Sequence, residues 1–560
     1  VSTLRDESRP LLGVRTAADS VPEIRFGEAG REAGRAAERA EPNYRAIAAL
    51  WVAGATIVRF ASVASLPLGN GEAYYFTWSR FLDWSYYDHP PLVAWMVRLT
   101  TLLSTSSAAV RLGPILCAGL FGLLFYRLAE RLFTPRAAFF ALVLVTAIPV
   151  FVMSSLVLNP EAPLAPLWVA FLLVLEGMRE KDEAFRPLLL GVVLGFAFLA
   201  KYTAVLLVPT ALLYLALSAP SRRWLRRPSL YAGGFVALLI TLPVLLWNHA
   251  RNWPTLHLHL VERAGVGVPV AGENTVNHLV EIASTPGFTG LETVVRLLIG
   301  QAMMYSPLIA PVLVVALFRL LRHARKDDRQ LFLASFSWPV LALLLAAMMR
   351  LKDAEQHWTM MGFVPAVIAA GHYADLAWSR VGESRFVRYP ILAASGAALS
   401  GILFIVAVAH FHTNAVLRFI PASHYDARAD MTNELAGWDQ VSASVARVAG
   451  NVHGPTVLTS NHYAMCGRLF YEMGDSPHVY CPTARRTAFD FFGRHDVPAN
   501  ATVIAVTNDI HDELPVGLED RTCTLDDTVD IERAGRNVAR YFVRTCPPAW
   551  TYSEKRASRD

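Results

Sequence analysis

The stretch Leu68–Trp95 reads LGNGEAYYFTWSRFLDWSYYDHPPLVAW and lies between two strongly apolar segments. It carries the carboxylates Glu72, Asp83 and Asp88, the imidazole of His89 and a dense run of aromatic rings, which a plain connecting loop does not need. From Glu72 onward, Tyr74, Trp78 and Phe81 recur at helical spacing, and Pro90 and Pro91 suit the first turn of a second helix. In that second helix Leu92, Trp95, Met96, Leu99 and Leu103 form an apolar stripe with Arg98 turned away. The expectation is two short amphipathic helices lying along a membrane face, with Glu72, Asp88 and His89 held between them.

Outward from this stretch the chain is that of a polytopic membrane protein: 54% of its 560 residues are hydrophobic and 17% charged. Apolar runs of spanning length fall at 45–66, 108–126, 137–156, 162–178, 187–200, 203–218, 229–247, 291–318, 331–349, 359–378 and 390–411, about eleven spans. Every second loop is basic, as in Arg127/Arg131/Arg136 and Arg222–Arg227. The positive-inside rule therefore puts those loops and the N-terminus in the cytoplasm, and the opening stretch and the C-terminal region outside. The net charge of +5 resides mainly in these loops and the N-terminal tail, so it is no nucleic-acid footprint.

The expected domains are a disordered cytoplasmic tail at 1–43, without the charged start and apolar core of a signal peptide, a transmembrane domain at 44–415, and a small soluble α/β domain at 420–560. The last rests on β-rich runs at Thr456–Thr459, His478–Cys481, Thr502–Val506 and Tyr541–Thr545 and a helical pattern from Glu434 to Val448. It holds no glycine-rich nucleotide loop. Cys466, Cys481, Cys523 and Cys546 permit disulfides in three pairings, and their spacing is not that of a zinc site.

Other polar groups gather on the same external side. Glu161 follows Asn159-Pro160 at a span mouth, where it serves either as a helix-start residue or as a group facing a polar cavity. Lys201, with Tyr202 beside it, interrupts an apolar run, and either snorkels to the surface or offers a point charge to a phosphate. Arg251 stands beside a span end and suits a lipid-linked phosphate. His257 and His259 read as interfacial residues, and Glu355, His357 and Trp358 add to the same face. Carboxylates, rings and cations so placed suit a site that binds a soluble acceptor and a membrane-borne anionic donor together. A transporter would want its ionisable groups near the bilayer midplane instead.

The ordered set GEAYYFTWSRFLDWSYYDHPPLVAW, NPEAPLAPLW, GFAFLAKYTAVLL, LPVLLWNHARNW and EQHW resembles the bacterial branch of the dolichyl-phosphate-mannose protein mannosyltransferase and aminoarabinose transferase superfamily. These are membrane glycosyltransferases of the GT-C fold. The resemblance covers about 45–415, and the tail with GWDQV and HYAMCGRLFYEMG is similar to the soluble domain of the same branch. It implies transfer of a sugar, with inversion, from a polyprenyl phosphate to a hydroxyl or phosphate of a glycolipid or protein acceptor, in a bacterial inner-membrane protein with its C-terminal domain in the periplasm. Asp88 and His89 match the acidic-basic pair of the first external loop, Glu161 a carboxylate that is usually aspartate, Lys201 the lysine after the fifth span, and His357-Trp358 a pair usually read Asn-Trp. Tyr202 and Arg251 join His89, Glu161, Lys201, His357 and Trp358 as substrate-binding candidates, and Glu72 and Asp88 are the candidate bases, with Glu72 preferred. No cofactor is indicated, although a divalent metal is compatible with such a site. One departure stands out: Gly71-Glu72 replaces the family's Asp-Glu. It leaves a degenerate, binding-only member as the second hypothesis.

Overall fold

In a computed structural model the chain is described over residues 42–180, 182–263, 290–351, 354–379, 388–428, 430–474, 478–483, 486–493, 498, 500–518 and 521–547. The expected tail at 1–43 lies outside these residues apart from its last two. Among the described residues seven helices are long and apolar enough to cross a membrane: Tyr44–Val63, Ser107–Leu132, Glu161–Glu180, Pro228–His249, Asp328–Met348, Gln356–Trp378 and Ala393–Thr413. Two broken pairs, Pro135–Ala147 with Pro149–Leu156 and Glu292–Met304 with Ile309–His323, and two shorter apolar helices, Arg186–Ala200 and Tyr202–Leu217, coincide with the other expected spans. This is the architecture of a multi-pass membrane protein with a small sheet domain toward its C-terminus.

Two expected spans are not straight. The first broken pair bends by 66°, and Ile148 at the break is extended (φ −69°, ψ 123°) because Pro149 disfavours the α region for the residue before it. The run expected as one span at 291–318 turns through 105°, with Ser306 at φ 67° immediately before Pro307. Length and apolarity find the segment, whereas the prolines decide its path. The short helix Arg186–Ala200 lies hard against Pro228–His249, since a Cβ on Gly191 would stand 1.9 Å from the carbonyl oxygen of Gly233.

The sheet has five strands in the order β2-β1-β3-β5-β4: β1 Thr456–Thr459, β2 His478–Tyr480, β3 Thr502–Asn508, β4 Thr524–Arg533 and β5 Arg536–Cys546. β1 pairs in parallel with β2 and β3, and β5 runs antiparallel to β3 and β4. The interior of β3 is buried throughout, as suits a central strand. β4 was not expected from its sequence, TLDDTVDIER. It is an edge strand with a mostly solvated face, joined to β5 through Ala534 and Gly535, both at positive φ as a two-residue hairpin turn requires. Cys466–Cys481 and Cys523–Cys546 are the disulfides, and Cys117 is unpaired.

The sheet domain does not merely rest on the membrane part. One apolar core joins Leu68, Tyr74, Trp78, Tyr86, Val93 and Val97 to Trp438, Val441, Leu469, Ile504 and Val543. A domain boundary at 415–420 therefore does not separate two cores. The helix Tyr463–Met473, also unexpected, packs on Asn70–Trp78 so closely that a Cβ on Gly467 would lie 2.8 Å from the backbone nitrogen of Tyr74. In the second short helix, Leu92–Thr100, the buried face is Val93, Ala94 and Val97, whereas Leu99 and Leu103 of the expected stripe point outward. That buried face packs on the neighbouring helices Ser107–Leu132 and Asn70–Trp78.

His462 caps Tyr463–Met473, its ring accepting from the Ala464 N–H at 3.3 Å, and stacks on His511 at 5.1 Å. Burial, with His511 adding, pushes its imidazole down to about 3. A depressed histidine is protonated in the unfolded chain below about 6.5 but stays neutral when folded, so its contribution is complete above that pH and is lost as pH falls toward 3. His462→Asn keeps a capping acceptor without the titration. Its melting temperature between pH 6.5 and 4 is expected to fall less steeply on acidification than the wild type's, at up to about 1.4 kcal/mol per pH unit.

Candidate active site

Glu72 sits in the first turn of Asn70–Trp78. Its Oε1 accepts from Arg111 Nε (2.9 Å) and Leu158 N–H (3.0 Å), and its Oε2 from Arg111 Nη2 (2.5 Å) and Gly69 N–H (2.8 Å). Arg111 also donates to the carbonyls of Val63, Leu66 and Pro67 at the end of the first span. With both side chains at least 96% buried, this is a fastener for the chain between two spans. Glu72 was expected to be the base. A carboxylate whose lone pairs already meet four donors is instead a structural counter-ion. The signal that would have found it is Arg111 itself, a charge just inside the apolar run 108–126 that needs a partner.

Asp88 lies in the turn between the two short helices. Tyr86, stacked on Trp78 at 4.4 Å, holds that turn with its hydroxyl 3.0 Å from the carbonyls of both Trp78 and Phe81, which share its one hydrogen, and Tyr87 donates to Glu262 at 3.0 Å. Asp88 Oδ2 accepts from the Tyr74 hydroxyl at 2.7 Å, and its backbone carbonyl meets His259 Nε2 at 3.1 Å. Asp88, Glu161 and Glu355 all bear on Tyr75, whose phenol is pushed well above its usual range by burial first and these carboxylates next. Burial, then the charges of Lys201, His259 and Arg263, hold His89 well below the ordinary histidine range. His89 is thus held toward its neutral form.

Beside this turn, Glu161 pairs with Lys201 and, through the same Oε1, with His357 Nε2 at 2.8 Å. The other nitrogen of His357 meets Glu355 at 3.1 Å. Asn159 caps the helix by accepting from Ala162 N–H, which leaves the Glu161 side chain to turn toward Lys201. Lys201 is buried at the extended break after Arg186–Ala200, so it does not snorkel. Glu161, Lys201, His357 and Trp358 line one cavity with Trp168 and Leu206. Tyr202 meets Ser85 at 3.1 Å and packs edge-on to His259 at 5.9 Å.

Arg251 is elsewhere: it pairs with Asp83 at 3.3 Å and lies over Trp247 at 4.5 Å. The guanidinium facing the site is Arg263, 5.7 Å from the Trp358 ring and among the charges acting on His89. It follows the two histidines of the same loop, which gave the one hint of a polar lining there. The position of the family's aspartate is open, since a Cβ on Gly71 meets no atom within 4 Å. Among the described residues no three His, Cys, Asp or Glu side chains are grouped to hold a metal ion. The assembled groups are Lys201 and Arg263, the imidazoles of His89, His259 and His357, and the carboxylates of Asp88, Glu161 and Glu355, a set able to hold an anionic leaving group next to a proton acceptor.

Comparison with known proteins agrees with the fold. The family model for dolichyl-phosphate-mannose-protein mannosyltransferase matches residues 88–247, from Asp88 to Trp247. The lipid A galacturonosyltransferase RgtD of Rhizobium johnstonii is 28% identical over 314 residues, 55% of this chain and 61% of its own length. The match therefore spans less than two thirds of that relative. Crystal structures of ArnT from Cupriavidus metallidurans, apo and bound to undecaprenyl phosphate, superpose with TM-scores of 0.54 and 0.53 at 17% and 16% identity. Each covers 89% of this chain and 97% of the ArnT chain, a likeness of fold.

Proposed function

We propose that this chain, a member of the superfamily of dolichyl-phosphate-mannose protein mannosyltransferases and aminoarabinose transferases, moves a sugar from a polyprenyl phosphate to a glycolipid or protein acceptor. The observation that carries the reading is the convergence of Lys201 and Arg263 with Asp88, Glu161 and Glu355 around His89 and Tyr75. Support for the donor comes from ArnT, crystallised with undecaprenyl phosphate, and for a lipid A type of acceptor from the galacturonosyltransferase relative. The basic loops support a cytoplasmic N-terminus and a sheet domain on the periplasmic side of the inner membrane.

In this mechanism the acceptor oxygen attacks the anomeric carbon from the face opposite the phosphate, and the bond from that carbon to the phosphate oxygen breaks. Asp88 takes the acceptor's proton. Lys201 and Arg263 balance the charge of the departing polyprenyl phosphate, and His89 contributes hydrogen bonding rather than charge. Glu161 and His357 hold Lys201 in place. Glu72 belongs to the scaffold.

Mass spectrometry of envelope glycolipids and glycoproteins, with and without the gene, tests the function, and a lost sugar mass identifies donor and acceptor together. An unchanged envelope, together with no transfer by the purified chain, refutes it. Lys201→Met is expected to weaken binding of undecaprenyl phosphate about tenfold or more while the protein stays folded in detergent. Unchanged affinity removes Lys201 from the phosphate. The absence of a carboxylate at Gly71, beside Glu72, favours one second reading, a member that binds donor without turnover. Tight donor binding without transfer to any acceptor would select it.

A further inference from the structure

Tyr74 ties the sheet domain to Asp88. Its hydroxyl donates to Asp88 Oδ2 at 2.7 Å and accepts from the backbone N–H of Ala488 at 2.8 Å. A phenol has a single hydrogen. With the Ala488 N–H aimed at its oxygen, that hydrogen goes to the carboxylate, so a residue 414 positions away sets the direction of the bond. The ring is 4% exposed, 4.7 Å from Tyr463 and stacked on Phe489 at 6.0 Å. Ala488 opens the turn Ala488–Phe491, closed by Thr487 N–H donating to the Asp490 carboxylate at 2.7 Å.

The same turn grips the stretch that carries Asp88 at other points. Phe491 stacks at 5.7 Å on Tyr87, the residue preceding Asp88, and lies 5.4 Å from Trp247, while Phe492 stacks on Phe81 at 4.6 Å. A structural plug needs only these ring contacts. The buried chain from Ala488 N–H through Tyr74 Oη to Asp88 Oδ2 adds a directed polar contact at the carboxylate itself. Such contacts set which way a carboxylate faces, and misplacing a reacting group by about 1 Å costs on the order of 10²-fold in rate.

We infer that residues 487–492 of the sheet domain, acting through Tyr74, orient Asp88 for proton abstraction; this rests on Asp88 being the base. Tyr74 is then a positioning residue, and the sheet domain is part of the catalytic apparatus rather than an appendage. The test uses Tyr74→Phe in the full chain in detergent, read by hydrogen exchange of the peptide spanning 487–492 and by steady-state transfer from a synthetic undecaprenyl-phosphate sugar. Exchange at Ala488 is expected to rise about tenfold or more, kcat to fall roughly 10- to 100-fold, and the donor KM to stay within about twofold. In an Asp88→Asn background Tyr74→Phe is expected to change the residual kcat by less than about twofold, because the group it orients is gone.

Transfer by the wild type combined with unchanged exchange, unchanged kcat or fully additive losses overturns the positioning role alone. No transfer by the wild type overturns the transferase reading and this role with it. Should Tyr74→Phe not fold, Phe491→Leu decides: it leaves Tyr74 in place and loosens the turn. Faster exchange at Ala488 with a lower kcat at constant donor KM supports the role, and wild-type values for either overturn it.

Discussion

Asp88→Asn keeps the fold and the affinity for undecaprenyl phosphate and loses about 10²- to 10⁴-fold in kcat, the range expected for loss of a general base. The size of the effect follows from chemistry, its location from geometry. Asp88 is only partly buried and bears, with Glu161 and Glu355, on the ring of Tyr75. Asparagine preserves the shape and accepts the Tyr74 hydrogen bond through its carbonyl, but it cannot take a proton. The measurement pairs single-turnover transfer with donor binding by the same preparation. Full turnover in Asp88→Asn ends its assignment as base and returns attention to Glu161, the carboxylate that lines the cavity.

Glu72→Gln behaves in the opposite way. It leaves Arg111, 2% exposed, without its counter-charge among the carbonyls of Val63, Leu66 and Pro67. Removing one partner of a buried pair costs about 3–5 kcal/mol, so the variant melts earlier and expresses less. Molecules that do fold retain turnover. The double replacement Glu72→Met with Arg111→Met recovers only part of the stability: it leaves no orphan charge, but it strands the carbonyls of Val63, Leu66 and Pro67 and the N–H groups of Gly69 and Leu158. A normal melting temperature with abolished transfer in Glu72→Gln would make Glu72 the base after all.

These two carboxylates show where reading the chain alone stops. The stretch Leu68–Trp95 marks itself as the candidate site by composition, and on sequence alone Glu72 is preferred to Asp88 as the base. What separates them is long-range partners: Arg111 lies 39 residues from Glu72 and the Leu158 amide 86, whereas Tyr74 hands Asp88 a bond backed by Ala488, 414 residues further on. Arg251 and Arg263 pose the same problem. Both flank spans in one loop, and only packing sends the first to Asp83 and the second to Trp358.

The spans, the proline-started helices and the strands at Thr456–Thr459, His478–Tyr480 and Thr502–Asn508 are legible without coordinates, because each follows from apolar length or local periodicity. The edge strand Thr524–Arg533 escapes that reading, since its solvated side is as polar as a loop. The chain by itself thus determined a multi-span membrane protein, the face on which its chemistry gathers and the residues eligible for it. The tertiary structure decided which carboxylate is paired with a buried arginine, which arginine of the long loop lies over Trp358, and that the sheet domain shares its core with the stretch Leu68–Trp95. The physical reason is that hydrophobic length and periodicity are local, whereas the charge state and accessibility of a side chain depend on whatever the folded chain brings against it.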